Sequence, residues 1–238
     1  QNKGLESLQL DLADSASIHR AADEILNRTG GRLDALFNNG AYGQAGAVED
    51  LSRDVLRAQF ETNLFGTMEL TNRIIPVMRK QRSGRIIINS SLLGLVALPY
   101  RGAYTASKFA LEGLTDTLRL ELADSGIHIS LIEPGPIKSR FRANSLAVFK
   151  RTIDIERSAH RAHYHGVLQR LEKPGPAAPF TLPPDAVLKR VIHALESPRP
   201  KLRYYVTLPT HFFAALRHLV SYRLLDRVLL AVSGKENK

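Results

Sequence analysis

Gly84-Arg85-Ile86-Ile87-Ile88-Asn89-Ser90-Ser91 is a β-branched triplet entered through glycine and closed by a polar pair. Three consecutive isoleucines read as a strand buried on both faces, as in a parallel sheet covered by helices. Thirteen residues after Ser91 comes Tyr104-Thr105-Ala106-Ser107-Lys108, which continues as Phe109-Ala110-Leu111-Glu112-Gly113-Leu114 in a helical pattern. Strands expected near 7–11, 33–38 and 127–132 alternate with helices expected near 15–28, 52–81 and 101–124. That alternation predicts parallel strands joined by right-handed crossovers, a doubly wound α/β sheet with helices on both faces. Asp14 or Ser15 can cap the first helix and Ser52 the second, Pro76 should kink or divide the second, and Gly126 is placed to end the third. In such sheets functional groups collect at the carboxyl ends of the strands, where Ser90 and Ser91 stand.

On a helix, Tyr104 and Lys108 leave the same face one turn apart. A free phenol titrates near pH 10 and is a poor acid or base at neutral pH. A neighbouring ammonium lowers that value and makes the tyrosine usable in proton transfer. Tyr-x-x-x-Lys occurs on many helices by chance, so its surroundings carry the argument. Ser91 ends the isoleucine strand, and strand alternation turns Ser90 to the opposite face. Asn63 lies inside the long helical pattern of 52–81, and Leu33 to Asn38 reads as a strand entering the turn Asn39-Gly40-Ala41. Ile127-His128-Ile129-Ser130-Leu131-Ile132 reads as another, ended by Glu133-Pro134-Gly135-Pro136-Ile137. No Gly-x-Ser-x-Gly elbow is present, so a serine hydrolase is a poor fit.

These pieces, in this order and spacing, resemble the short-chain dehydrogenase/reductase family over about residues 8–233. The segments around Tyr104, Ile132 to Ile137 and Arg203 to Thr207 are similar to bacterial NADP-dependent aldehyde reductases and to retinol and hydroxysteroid dehydrogenases. The resemblance implies an oxidoreductase moving a hydride between NADP, or NAD as the alternative, and a lipophilic carbonyl or alcohol. It implies a catalytic set of Asn63, Ser91, Tyr104 and Lys108. Tyr104 would be the acid or base, Ser91 a donor to the substrate oxygen, and Lys108 a partner of the nicotinamide ribose. Asn63 would hold its helix open for a proton-relaying water. The implied cofactor contacts are Asp11 and Leu12 at adenine, Asn39, Gly40 and Ala41 at the adenosine side, and Tyr104 and Lys108. Pro134, Gly135, Ile137 and Ser139 would contact the nicotinamide end.

Two departures stand out. The family turn Asn-Asn-Ala-Gly appears here as Asn38-Asn39-Gly40-Ala41, an exchange of two small residues. No strand and glycine-rich turn opening a helix precedes it, and Gly30-Gly31 lies between a helix and a strand, the wrong direction for a phosphate cradle. Ser7 to Leu12 looks like the family's third strand, so the chain is expected to be N-terminally incomplete by a βαβ unit. The rival reading is a truncated, non-catalytic member that binds a partner or a membrane.

A length of 238 residues suits one α/β domain: a cofactor and catalytic core over 1–137, and a substrate cover and C-terminal extension over 138–238. There is no cysteine, which fits a reducing, cytoplasmic setting and removes thiolate metal sites. No secretory pattern begins at Gln1. Residues 138–238 hold 19 Lys+Arg against 7 Asp+Glu, a net +12, while the preceding part is at −2. That basic excess lacks the aromatic-interleaved or finger spacing of nucleic-acid binders, so no nucleic-acid partner is expected. His160, His163 and His165 have no fixed carboxylate partner in their motif; they are expected to be solvated, with no metal. Residues 140–171 are expected to be helical in pieces and to cover the substrate. Pro174, Pro176, Pro179, Pro183 and Pro184 mark a loop, and 185–197 a helix. Residues 204–208 are expected to form a last strand and 210–232 a final helix. Its apolar face, with Arg217, Arg223 and Arg227 beside it, suits packing on the domain, a homo-oligomer or peripheral membrane contact.

Overall fold

The computed structural model describes residues 5–176 and 178–236; Gln1, where a leader pattern was sought, lies outside them. Four parallel strands, β1 (Ala35–Asn38), β2 (Gly84–Asn89), β3 (Ile127–Glu133) and β4 (Arg203–Tyr205), pair in the order β1-β2-β3-β4. All carboxyl ends therefore lie along one edge. Helix α1 (Ser15–Arg28), capped by the Asp14 side chain on Ala16 N, precedes β1. Between β1 and β2 run α2 (Arg53–Phe60), a π-turn (Glu61–Phe65) and α3 (Gly66–Gln81), and α4 (Gly102–Glu121) links β2 to β3. Then come α5 (Phe141–Thr152), α6 (Arg161–Glu172) and α7 (Asp185–Glu196) before β4, and α8 (Leu208–Leu219) and α9 (Tyr222–Glu236) after it.

The isoleucine triplet behaves as its composition predicts. Ile86 and Ile88 face a core with Ile18 of α1, Ile74 and Met78 of α3 and Leu111 of α4; Ile87 faces the other way, against Val191 and Ala194 of α7. Helices thus cover both faces of a Rossmann-like sheet. Its other edge is barer: Phe37 on β1 is 36% exposed, whereas the three isoleucines are essentially buried.

Several expected elements differ. Residues 7–11 are not a strand, because among the described residues nothing lies beside β1 for them to pair with. The segment 52–81 is interrupted at the π-turn around Asn63 and not at Pro76, which sits inside α3. Pro76 and Asn72, whose carbonyl loses its donor, are both on the exposed side, where water can replace the lost bond. The final helix is two: Val220 adopts an extended backbone and the Ser221 carbonyl then starts α9. Gly126, expected to end the catalytic helix, instead closes the turn into β3 with φ +78°, its Cα facing the Arg82 carbonyl.

Gly66 is fixed by contact. A Cβ there would stand 1.8 Å from the Leu12 carbonyl oxygen. Gly66→Ala should therefore destabilise the protein by about 1–3 kcal/mol, since backbone must move to admit the methyl group. Urea denaturation reads this directly, and an unchanged midpoint would show that the Leu12 segment does not press on α3.

Candidate active site

The carboxyl edge of the sheet brings the expected catalytic residues together. Ser91, two residues beyond β2, has an extended backbone, and its hydroxyl accepts from Leu93 N at 3.1 Å and acts on the Tyr104 phenol. Tyr104, in the first turn of α4, is 9% exposed. Lys108 follows one turn later, 2% exposed, with Nζ 5.7 Å from the Tyr104 ring centroid. That ammonium donates to the Asn89 carbonyl at 2.7 Å. Asn63, from the π-turn, is 1% exposed. Its amide donates to the Tyr42 carbonyl (2.9 Å) and to Ser107 Oγ (3.3 Å), while its Oδ1 accepts from Tyr42 N (3.1 Å). The π-turn thus has an identifiable use: it turns the Asn63 side chain onto the loop after β1 and onto the catalytic helix.

Burial is the main electrostatic influence here. It pushes the Tyr104 phenol up to about 12, against a lowering by the Ser91 hydrogen bond. It pushes Lys108 down to about 8, partly offset by the negative charge of Glu112. The expected lowering of Tyr104 by Lys108 does not prevail in this closed arrangement, in which Phe141 of α5 packs edge-on against the Tyr104 ring with centroids 5.2 Å apart.

The residues expected around a dinucleotide fall along the same edge. Asn39 Oδ1 accepts from Asn89 Nδ2 at 2.6 Å, tying the turn after β1 to the carbonyl that holds Lys108. Leu12 packs over that turn, its Cδ1 2.7 Å from where a Gly40 Cβ would be. Asp11 itself is exposed and accepts from Ala13 N at 2.9 Å. Pro134 O accepts from Leu92 N at 2.8 Å. Gly135 approaches Thr207 so closely that a Cβ would meet its hydroxyl at 2.1 Å. Ile137 bridges to Leu182 through Pro136 O and Lys138 N, leaving its own peptide groups outside that pairing. Ser139 stands apart: it is exposed, and its hydroxyl caps α5 by accepting from Phe141 N at 3.3 Å.

The donor set fits the nicotinamide-ribose end of a dinucleotide. The Lys108 ammonium has N–H bonds beyond the one given to Asn89, whose side chain in turn holds the Asn39 turn. Among the described residues no glycine-rich strand-to-helix turn supplies a pyrophosphate cradle.

Sequence reasoning missed three contributors. Asn89 joins the cofactor-side turn to Lys108. Gln59 accepts from Gln44 N at 2.7 Å and donates to Tyr42 O at 3.0 Å, doubling the Asn63 grip; its position four residues before Asn63 was the available signal. The third is the anchor of the cover. Tyr164 of α6 is fully buried; its hydroxyl bonds Asp50 and accepts from Ala47 N at 2.9 Å. His160 and His163 are not simply solvated: His160 pairs with Glu49 and both rings pack on Tyr100. At the other wall, Phe213, Leu225 and Leu229 of α8 and α9 pack with Leu92, Leu93 and Tyr104. Much of the apolar face expected of the final helix is therefore spent on its own domain.

A family model described as short chain dehydrogenase matches residues 1–147. The uncharacterized oxidoreductase YbbO of Escherichia coli K12 is 42% identical over 226 residues, covering 95% of this chain and 78% of that protein. Human 17-beta-hydroxysteroid dehydrogenase type 1 is 35% identical over 204 residues, 85% of this chain and 60% of that protein. In fold, the chain matches a short-chain dehydrogenase of Burkholderia cenocepacia solved with NADP. The TM-score is 0.70 at 21% identity, over 96% of this chain and 82% of that one.

Proposed function

Since the chain belongs to the short-chain dehydrogenase family of oxidoreductases, we propose that it transfers a hydride between NADP(H) and a lipophilic carbonyl or alcohol. An aldehyde is the first choice of substrate and a retinoid or steroid-like ketone the second; NAD is the alternative cofactor. One observation carries this reading: Ser91, Tyr104, Lys108 and Asn63 converge from β2, α4 and the π-turn on one buried cluster at the carboxyl edge.

When bound, NADPH supplies the hydride. The chain's own groups supply position, charge and a proton. The Ser91 hydroxyl is near enough to the Tyr104 phenol to lower its pKa, so a carbonyl oxygen entering between them would meet two donors aimed at developing negative charge. At neutral pH a phenol raised to about 12 is protonated, the form that donates as an alkoxide develops. The reverse reaction needs a phenolate, so alcohol oxidation should rise with pH where carbonyl reduction does not. Lys108 presents its remaining N–H bonds to ribose hydroxyls and its charge to the Tyr104 side. Asn63 holds the π-turn and Ser107 in place. Asn39, Gly40, Ala41, Pro134, Gly135 and Ile137 would line the path of a dinucleotide, with Asp11 and Leu12 at its adenine end; Ser139, whose oxygen accepts from Phe141 N, keeps its O–H free to donate to it. Phe141, Leu146 and Phe149 of α5 support an apolar occupant of the cover.

The outer surface supports two further parts of the reading. Leu208, Phe212 and Leu219 form an exposed stripe on α8, near Tyr222 and Arg223, and suit peripheral contact with an anionic membrane. Among the described residues no helix is long and apolar enough to cross one. Exposed Phe109, Leu114 and Leu120 on α4 suit a homo-oligomer.

The test is turnover. Purified protein with NADPH and a panel of medium- and long-chain aldehydes, retinal and a steroid ketone should consume NADPH, with kcat/KM rising as the apolar chain lengthens. Absence of turnover with every carbonyl and both cofactors would end the reading.

A further inference from the structure

Behind the catalytic pair, on the same helix, lies a second set of ionisable groups. Glu112 follows Lys108 by one turn of α4 and Asp116 follows by another, so the three share a face. Glu112 is 6% exposed, and Glu133, the last residue of β3, is wholly buried. Arg203 of β4 binds all three carboxylates: Nη1 donates to Glu112 Oε2 and Glu133 Oε1, and Nη2 to Asp116 Oδ2. Arg119 takes the other Asp116 oxygen at 2.8 Å. The clamp thus joins the catalytic helix to the strand whose end carries Pro134-Gly135.

One guanidinium cannot satisfy three carboxylates, and Glu112 Oε1 and Glu133 Oε2 are buried with no hydrogen-bond partner. Burial pushes Glu133 up to about 8, so at neutral pH it is protonated, and Arg203 and Arg119 then face the carboxylates of Glu112 and Asp116. A buried ammonium whose one hydrogen bond here goes to a backbone carbonyl needs a nearby anion to stay charged, and Glu112 stands one turn along the helix.

We propose that Glu112 is a positioning residue for Lys108: held by Arg203, its carboxylate keeps the buried ammonium charged and seated on the Asn89 carbonyl. The role of Lys108 in catalysis rests on the hydride-transfer reading; the electrostatic coupling does not. The groups facing the pair are known from every side. Tyr104, Asp116 and Arg119 come from α4, Ser91 from β2 and Asn63 from the π-turn; Glu133 comes from β3, and Arg203 and Tyr205 from β4. Arg217 and His218 of α8 border a cavity of about 390 Å³ that opens on Glu112 and Arg203. Burial lowers Lys108 and Glu112 raises it again; burial also raises Glu112, against the lowering by Arg203 that holds it, and pushes Glu133 up to about 8.

Lysine-¹³Cε-labelled protein, with the Lys108 resonance identified by its loss in Lys108→Arg, reports the titration without requiring activity. In Glu112→Gln the Lys108 midpoint should fall by about one pH unit. Glu112→Asp should restore most of it, and Asp116→Asn, which neutralises a more exposed carboxylate a turn further on, should move it by less than about a third as much. The alkaline limb of kcat/KM should shift with the resonance, with little change in KM for the carbonyl. Should Glu112→Gln not fold, Glu112→Met removes the charge at similar volume and gives the same readout. An unmoved midpoint in either variant, or an equal shift in Asp116→Asn, overturns the proposal. A shifted midpoint in a protein whose wild type turns over nothing contradicts the hydride-transfer reading alone.

Discussion

Tyr104→Phe should lower kcat for NADPH-dependent carbonyl reduction by about 10²–10⁴-fold, the range for losing a positioned general acid. The substitution removes one oxygen and leaves the ring, which keeps its edge-on contact with Phe141 and its place among Leu92, Leu93 and Phe213. The fold should therefore survive, and NADPH affinity should change little, because Lys108 and its Asn89 contact are untouched. The Ser91 hydroxyl keeps its bond from Leu93 N and can still hold a carbonyl oxygen, so residual turnover with an almost unchanged KM is the expected pattern. Steady-state kinetics with a circular-dichroism control for folding measure this. Turnover near that of the wild type would move the proton donor to another group.

Lys108→Met should have a broader effect. It removes a buried ammonium that, on the proposed reading, binds ribose hydroxyls and acts on Tyr104. Losing charged hydrogen bonds should raise the Kd for NADPH about 10–100-fold. With no cation beside the developing phenolate, kcat should fall a further 10²-fold or so. The variant also leaves the Asn89 carbonyl without its donor, so a loss of stability is expected as well. Lys108→Arg keeps the charge but puts a planar fork where a compact ammonium fits, and should recover only part of the binding. Fluorescence titration with NADPH separates binding from turnover. An unchanged Kd would exclude Lys108 from the cofactor site.

The sheet, and the convergence of Tyr104 and Lys108, were more legible in the sequence than their surroundings, for a physical reason in each case. Ile86 to Ile88 form a strand whatever flanks them, because burial on both faces leaves no other use for such a run. Tyr104 and Lys108 converge by helix geometry, and the Asp14 and Ser52 caps are local hydrogen bonds. Local signals failed where pairing or packing decides. Ser7 to Asp11 has a strand's composition but, among the described residues, no strand beside it. Pro76 reads as a break, yet its ring falls on the exposed side of α3, while the real interruption at Asn63 follows from hydrogen bonds to Tyr42 and Ser107, distant in sequence. The split between α8 and α9 follows from wrapping Phe213 and Leu225 around Leu92 and Tyr104, which no window of the tail displays. Gln59, Asn89, Tyr164 and the Arg203 clamp were hidden for the same reason: each acts on a residue far along the chain.

The most direct test of hydride transfer at Tyr104 is isotopic. Purified protein is incubated with NADPH deuterated at the transferring position and a medium-chain aldehyde, and the alcohol is analysed by mass spectrometry. The account predicts one deuterium on the carbinol carbon of the product, formed by the wild type and nearly absent with Tyr104→Phe. Alcohol formed without the label, or labelled alcohol formed equally by both proteins, would contradict it.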